Sequence, residues 1–345
     1  SRSYHFGNLS TKNVSYGPTF SRDEKYEYDD LGNVRTSQFG NFTLESARDE
    51  FGRQTKVGVL SSKNTIGLQY QEGKISGVLD GKNRKVIQRV EYDEFQRVRK
   101  IVYLNSLETV YEYQGHSQRL KKIFLTGPET SGKSKIFYGE ELIENASSRQ
   151  IIGRITEVLG NKTQEAFQYD PGNYKLVSDR ASTLKVSRRD GRVVSFGKNK
   201  FQWSGFDLTG FMNHTTYRDS HGALLSICKT GSCIEFLSED SVRVDDVNIM
   251  VVRVEGAPVL AVIGDRIFGI LSDQLGSVKA VFNVVESTPE PLILIRHYGA
   301  WGKKKLLIES DEAKQLALDR KIVWGFASLK EVKGYETSPG FPLYF

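Results

Sequence analysis

Tyr28-Asp-Asp-Leu-Gly-Asn-Val-Arg35 is one of eight copies of a phrase in which an aromatic or an arginine leads into an acidic turn and then a basic or apolar strand start. Close copies follow at Arg48-Asp-Glu-Phe-Gly-Arg53, Tyr70-Gln-Glu-Gly-Lys74, Tyr92-Asp-Glu-Phe-Gln-Arg97 and Tyr113-Gln-Gly-His-Ser-Gln-Arg119. Weaker ones stand at Tyr169-Asp-Pro-Gly-Asn173, Arg188-Arg-Asp-Gly-Arg192 and Tyr217-Arg-Asp-Ser-His-Gly222. The anchors at 28, 48, 70, 92 and 113 are 20, 22, 22 and 21 residues apart. A fixed period in this range decides the architecture. Asp and Asn bond their own backbone and Gly accepts positive φ, so each centre is a turn. The flanks alternate large and polar residues with period two, as half-buried strands do. Each unit is therefore a β-hairpin, and since one hairpin cannot bury its apolar face alone, the hairpins must lie side by side. Chance in a Tyr-rich β protein would not give even spacing and shared turn chemistry together.

The chain has 345 residues, 38% hydrophobic and 11% aromatic, with 8 Pro. No run of 18 apolar residues occurs, so the reading is a folded, soluble chain without a membrane span. It opens on Ser1-Arg-Ser-Tyr-His5, with neither an initiator Met nor a signal-peptide core, and reads as a segment of something longer. The net charge of +6 comes from cations scattered at strand ends. Lys303-Lys-Lys305 is the only short basic run and reads as a solvated loop, so nucleic acid is not an expected partner.

Six glycosylation acceptor patterns occur, at Asn8, Asn13, Asn41, Asn145, Asn161 and Asn213, and they favour an extracellular glycoprotein. Cys228 and Cys233 flank a Thr-Gly-Ser turn where facing strands can bring them within bridging range. A disulfide fits a secreted context, and two free thiols in a hairpin are the alternative. With no further cysteines and no paired histidine spacing, no metal site is expected.

Gly127-Pro-Glu-Thr-Ser-Gly-Lys-Ser134 matches the phosphate-cradling loop pattern through Gly127, Gly132, Lys133 and Ser134, with a Walker-B-like Val259-Leu-Ala-Val-Ile-Gly-Asp265 downstream. A true phosphate loop opens a helix whose N-terminal amides hold the anion. Here Ile136-Phe-Tyr138 is β-prone, and Glu140-Glu-Leu-Ile-Glu144 allows one helical turn at most. The stretch reads better as a long hairpin loop between strands over 120–125 and 135–138. Ser310 to Asp319 is the one convincing helix, capped by Ser310 with acids in its first turn. His5, His116, His214, His221 and His297 are scattered, and no catalytic constellation is found. Neither an enzymatic activity nor a cofactor is expected.

The Tyr-Asp-x-x-Gly phrase resembles the YD/RHS repeats of bacterial RHS proteins, insect-toxin complex C subunits and animal teneurins. The stretch from Leu184 to Leu208 looks most like a teneurin passage, Ile270 to Phe282 resembles the "D-x-x-G-S/T" strand common to these families, and Arg296 to Gly302 resembles the aromatic element that follows it. The resemblance covers most of residues 20–302. It implies an all-β fold, a spiralling array of β-hairpins forming a large hollow, barrel-like shell, with one short helix near the C-terminus. The expected division is a repeat shell segment over 1–250, closing strands over 251–309, and a helix and tail over 310–345 that seal the shell. The teneurin branch implies the ectodomain of a signalling and cell-adhesion receptor on the extracellular side of the plasma membrane. Its partners would be homophilic or latrophilin-type receptors, and its membrane span and any dimer contacts would lie outside this chain. The alternative is a toxin-encapsulating shell, and the third reading is a phosphate-loop nucleotide-binding protein. Asp170-Pro171, the one Asp-Pro pair, lies mid-chain, so the self-cleavage of bacterial relatives is not expected. The chain from Ile322 to Tyr335 looks like the strand that leads to the family's final motif.

Overall fold

The computed structural model describes residues 2–5, 8–16, 20–60, 65–116, 119–130, 133–145, 147, 151–169, 176–178, 184–186, 193–196, 199–204, 207–211, 214–218, 224–229, 232–238, 240–244, 247–273, 277–285, 291–298 and 304–316. Nearly all of it is antiparallel β. A 15-stranded sheet runs from Arg2 to Ala166 and a 14-stranded sheet from Leu184 to Glu309, with a two-stranded ribbon between them in sequence. Within both large sheets every strand pairs with its neighbours in sequence, a pure meander. Short turns permit this, because antiparallel strands need no crossover. Neither sheet closes into a barrel: the strand orders are open at both ends.

The faces of the two sheets meet over a common apolar core. Ile66, Ile87, Ile101, Ile123 and Leu125 of the first sheet cluster with Met250, Leu260, Ala280, Phe282 and Ile295 of the second. The Tyr103 and Phe282 rings cross edge to face at 5.0 Å, a geometry aromatic pairs favour. A second cluster, with Ile249, Ala261, Ile263, Ile270, Val281 and Leu294, lies on the other face of the second sheet. The one helix among the described residues, Asp311–Gln315, seats Ala313 in that second cluster. Ser310 Oγ accepts from the Ala313 N–H at 3.1 Å, as expected of its cap. No helix among the described residues is long and apolar enough to cross a membrane.

Three local expectations are corrected. The strands flanking the phosphate-loop pattern are Leu120–Thr130 and Lys133–Glu144, so no long loop separates them. Glu140 to Glu144 is strand rather than a helical turn, because it pairs with Ile151–Val158 from Glu140↔Thr156 to Glu144↔Ile151. A neighbouring strand supplies backbone partners that five residues alone cannot. Lys304 and Lys305 likewise belong to the strand Lys304–Glu309, paired with Tyr298 and His297, not to a loop, while Lys303 lies outside the described residues. The segments 317–345 and Asp170-Pro171 also lie outside them.

Candidate functional site

The repeated turn is a carboxylate clamp. In the copies at Asp29, Asp49 and Asp93, and in a further turn at Asp80, the Asp N–H donates to the carbonyl four residues on, at 2.9 Å each. Its Oδ1 accepts the backbone N–H groups two and four residues on: Phe95 and Arg97, for instance, both donate to Asp93 at 2.9 Å. Where an arginine holds the fourth place, its Nε donates to Oδ2, at 2.7 Å for Arg53 to Asp49, 2.7 Å for Arg84 to Asp80 and 2.6 Å for Arg97 to Asp93. Each carboxylate is thus surrounded by donors, which favours the charged form. The Arg53 and backbone bonds to Asp49 hold its carboxyl below the ordinary range. At Asp93 burial alone would raise the carboxyl, but the bonds from Arg97 and the backbone outweigh it and the net shift is downward.

The turn needs a left-handed residue just before its last position. Gly32 and Gly52 supply it at φ 82° and 76°, while Asn83, Gln96 and Ser106 adopt φ between 60° and 65°. The copy from Tyr92 to Arg97, which has no glycine, therefore keeps the backbone of the glycine-bearing turns. Tyr70 to Lys74 differs in kind. It is a two-residue turn with Glu72 and Gly73 both at positive φ, the geometry that suits strand twist.

A second regularity links one repeat to the next. The cation ending each turn lies against the tyrosine that opens the following repeat: Arg53 over Tyr70 at 4.7 Å, Lys74 over Tyr92 at 4.7 Å and Arg97 over Tyr113 at 4.4 Å. The same tyrosines donate their hydroxyls to the carbonyl just after that cation, from Tyr70 to Gln54 at 2.8 Å, Tyr92 to Ile75 at 2.8 Å and Tyr113 to Val98 at 2.9 Å. Burial pushes the Tyr113 hydroxyl up to about 12, so it stays a donor. Sequence reading treated each copy as a separate hairpin and missed this coupling. Its signal was the recurrence of a cation at the close of the turn, with a tyrosine 16 to 18 residues later.

The seam between the sheets holds a buried charged network. Lys279 Nζ lies 3.2 Å from Glu140 Oε2 and 3.2 Å from Asp273 Oδ2. Arg154 Nη1 approaches Glu140 at 3.6 Å, and its Nη2 bonds Glu165 at 2.6 Å. The Tyr138 hydroxyl donates to Glu140 at 3.0 Å. Burial would neutralise the Glu140 carboxyl, yet Lys279 and Arg154 outweigh it and keep it ionised. Lys279 mirrors this, with Glu140 and Asp273 outweighing its burial. Asp273 also repeats the turn clamp, since its N–H donates to Ser277 O at 3.1 Å and its Oδ1 accepts from Ser277 N–H at 2.9 Å. A smaller tie has Arg22 Nη1 donating to Phe236 O at 2.8 Å while its Nε bonds Glu24 at 2.8 Å.

The residues picked out as candidates do not converge with these groups. Gly127 is inside a strand, and a Cβ there would meet the Phe137 ring at 2.6 Å. Thr130 pairs with Lys133 and Glu129 with Ser134 as hairpin partners, so no helix N-terminus stands beside the pattern; Gly132 is outside the described residues. The Walker-B-like stretch is the buried strand Ala257–Ile263 with its turn. Asn13, Asn41, Asn145 and Asn161 are exposed, Asn8 is half-buried, and Asn213 is outside the described residues. Cys228 and Cys233 are direct partners across two strands and form a disulfide. Among the described residues no group of three His, Cys, Asp or Glu is placed to hold a metal.

No family model and no curated protein matches the chain. Solved structures do. A TcdB2-TccC3 structure superposes with a TM-score of 0.59 at 11% identity, over 98% of this chain and 24% of that one. The Photorhabdus luminescens Tc holotoxin pore carrying the TccC3 D651A mutation gives 0.57 at 11% identity, with the same coverage. The chain therefore spans about a quarter of the length of the chains it matches. At this identity the likeness is one of fold, that of Tc-toxin shells of the YD/RHS-repeat class.

Proposed function

We propose that this chain is a wall segment of a larger YD/RHS-type shell that encloses a polypeptide, and that the wall itself does no chemistry. The observation that carries the reading is the superposition of 98% of the chain on a quarter of a Tc-toxin chain, together with a meander open at both ends that further hairpins can extend. The clamp and the tyrosine–cation couplings supply what a wall needs, since each hairpin is fixed internally and then fastened to the next. Electron microscopy of the protein from its full reading frame tests this. A hollow particle with protease-protected contents is expected, and a solid or elongated particle would exclude encapsulation.

A second reading rests on different residues. The exposed acceptor asparagines Asn13, Asn41, Asn145 and Asn161 and the Cys228–Cys233 disulfide suit an extracellular glycoprotein. In that setting the same wall would be a rigid adhesion platform with protein partners, homophilic or of the latrophilin type. Glycosidase treatment of protein from its native cells separates the two, because an unchanged electrophoretic mobility counts against the adhesion reading.

A further inference from the structure

Hairpins in a meander place alternate turns on opposite rims. The turns after Phe20–Tyr28, Phe42–Arg48, Thr65–Gln71 and Lys85–Tyr92 therefore share one rim of the first sheet. On this rim the clamp acids are already satisfied within their turns, Asp49 by Arg53 and Asp93 by Arg97. The next residue of each clamp is a further acid, Asp30, Glu50 or Glu94, and the two-residue turn contributes Glu72; all four are exposed. None of the four pairs with any described residue. Beside three of them stands a large apolar side chain in solvent: Leu31 is 76% exposed, Phe51 73% and Phe95 39%. Phe51 and Phe95 are backed by Arg53 and Arg97 at 4.9 Å each, and His116 meets Phe95 edge to face at 4.8 Å.

We propose that this rim is a docking surface for a basic, apolar polypeptide segment in extended conformation. The observations behind it are independent of the shell reading. The four turn phrases at 28–35, 48–53, 70–74 and 92–97 hold seven acids against five cations, a net negative rim on a chain whose net charge is +6, and three of the turn tips each expose a large apolar side chain. Successive turns lie two strand spacings apart, about 10 Å. A polyproline-type chain has three residues per turn and rises about 3.1 Å per residue, so it presents one side chain roughly every 9 Å on one side. A cation at every third residue would meet Asp30, Glu50, Glu72 and Glu94 in turn, while intervening apolar residues cover Leu31, Phe51 and Phe95.

The test uses the folded chain and two labelled peptides, four repeats of Arg-Pro-Leu and four of Glu-Pro-Leu, followed by fluorescence anisotropy at low and moderate salt. The Arg peptide should bind, weaken as salt rises, and outcompete the Glu peptide. The charge variant Asp30→Asn/Glu50→Gln/Glu72→Gln/Glu94→Gln should weaken binding about tenfold or more, and Leu31→Ser/Phe51→Ser/Phe95→Ser should do so independently of salt. Unchanged melting and circular dichroism would show that both variants fold. Failure of the wild type to bind the Arg peptide, or binding by either variant as tight as that of the wild type, overturns the proposal. So does self-association of the wild type, seen by sedimentation, that the apolar variant abolishes, which would assign the rim to a second copy of the chain.

Discussion

In the strand Val98–Tyr103, buried Val98, Ile101 and Tyr103 are separated by exposed Arg99 and half-buried neighbours, whereas in Ala257–Ile263 six consecutive residues are buried. The first belongs to a sheet with one face in the core. In the second sheet successive residues serve different clusters: Met250 and Val252 face the first sheet, Ile249 and Val251 the opposite side. Turn chemistry differs in parallel. The first sheet carries four clamps between Asp29 and Arg97, while among the described residues of the second only Asp273 repeats the arrangement. One half is thus fastened at its turns and along its tyrosines; the other is held by burial on both faces and tolerates plain turns. A hairpin that buries one face gains less from the hydrophobic effect, and local bonds at each turn make up part of the difference.

This contrast can be broken from either side. The largest loss is expected in the doubly buried sheet, where Phe282→Ala should cost about 3–5 kcal/mol by chemical denaturation, through a cavity facing Tyr103. Lys279→Met should come close behind, at about 3 kcal/mol or more, because it removes the cation that Glu140 and Asp273 share at the buried seam. Replacing Glu140 and Lys279 together by Leu and Met should recover part of that loss, a pattern that a solvent-exposed pair would not show. In the clamped sheet, Arg97→Ala should cost about 2 kcal/mol, and Arg97→Lys should rescue it poorly, since a lysine cannot make the forked bond to Asp93 and lie flat on Tyr113. The smallest effect has the opposite sign. Gln96→Gly should stabilise by about 1 kcal/mol, because φ of 65° strains a side-chain-bearing residue there.

Acid should also act on the two halves unequally. The carboxyls of Asp29, Asp49, Asp80 and Asp93 are held below their ordinary range by the donors around them, as is Glu140 at the seam. A depressed native pKa means that the unfolded chain binds protons first as pH falls. The stabilisation is then complete above the unfolded carboxylate range and is lost as pH drops below about 4. Melting temperature should fall steeply in that window. Asp93→Asn should flatten the fall while lowering the plateau near neutral pH; an identical acid slope in the variant would remove the clamp from the explanation.

Much of this was readable in the chain. Period, turn residues and alternation gave hairpins laid in sequence, and Ser310 marked the helix start. The clamp at Asp80 escaped notice because no tyrosine precedes it, although Asp80-Gly-Lys-Asn-Arg84 contains every group the clamp uses. The phosphate-loop pattern misled as a string and was disarmed by its β-prone surroundings. The seam was hardly visible: only Lys279, set among Val278, Ala280, Val281 and Phe282, hinted that a charge must find a partner in an apolar strand.

Turns and hairpins are written in the sequence because their bonds join residues two to five positions apart, as Asp93 does with Phe95 and Arg97. Which cation meets which tyrosine is one hairpin further off and still follows the repeat. That Glu140 finds Lys279, or Tyr103 finds Phe282, was decided by the stacking of one sheet on the other. Burial rewards apolar area from any direction alike, so an alternating strand declares that it has an inner face without declaring what will cover it.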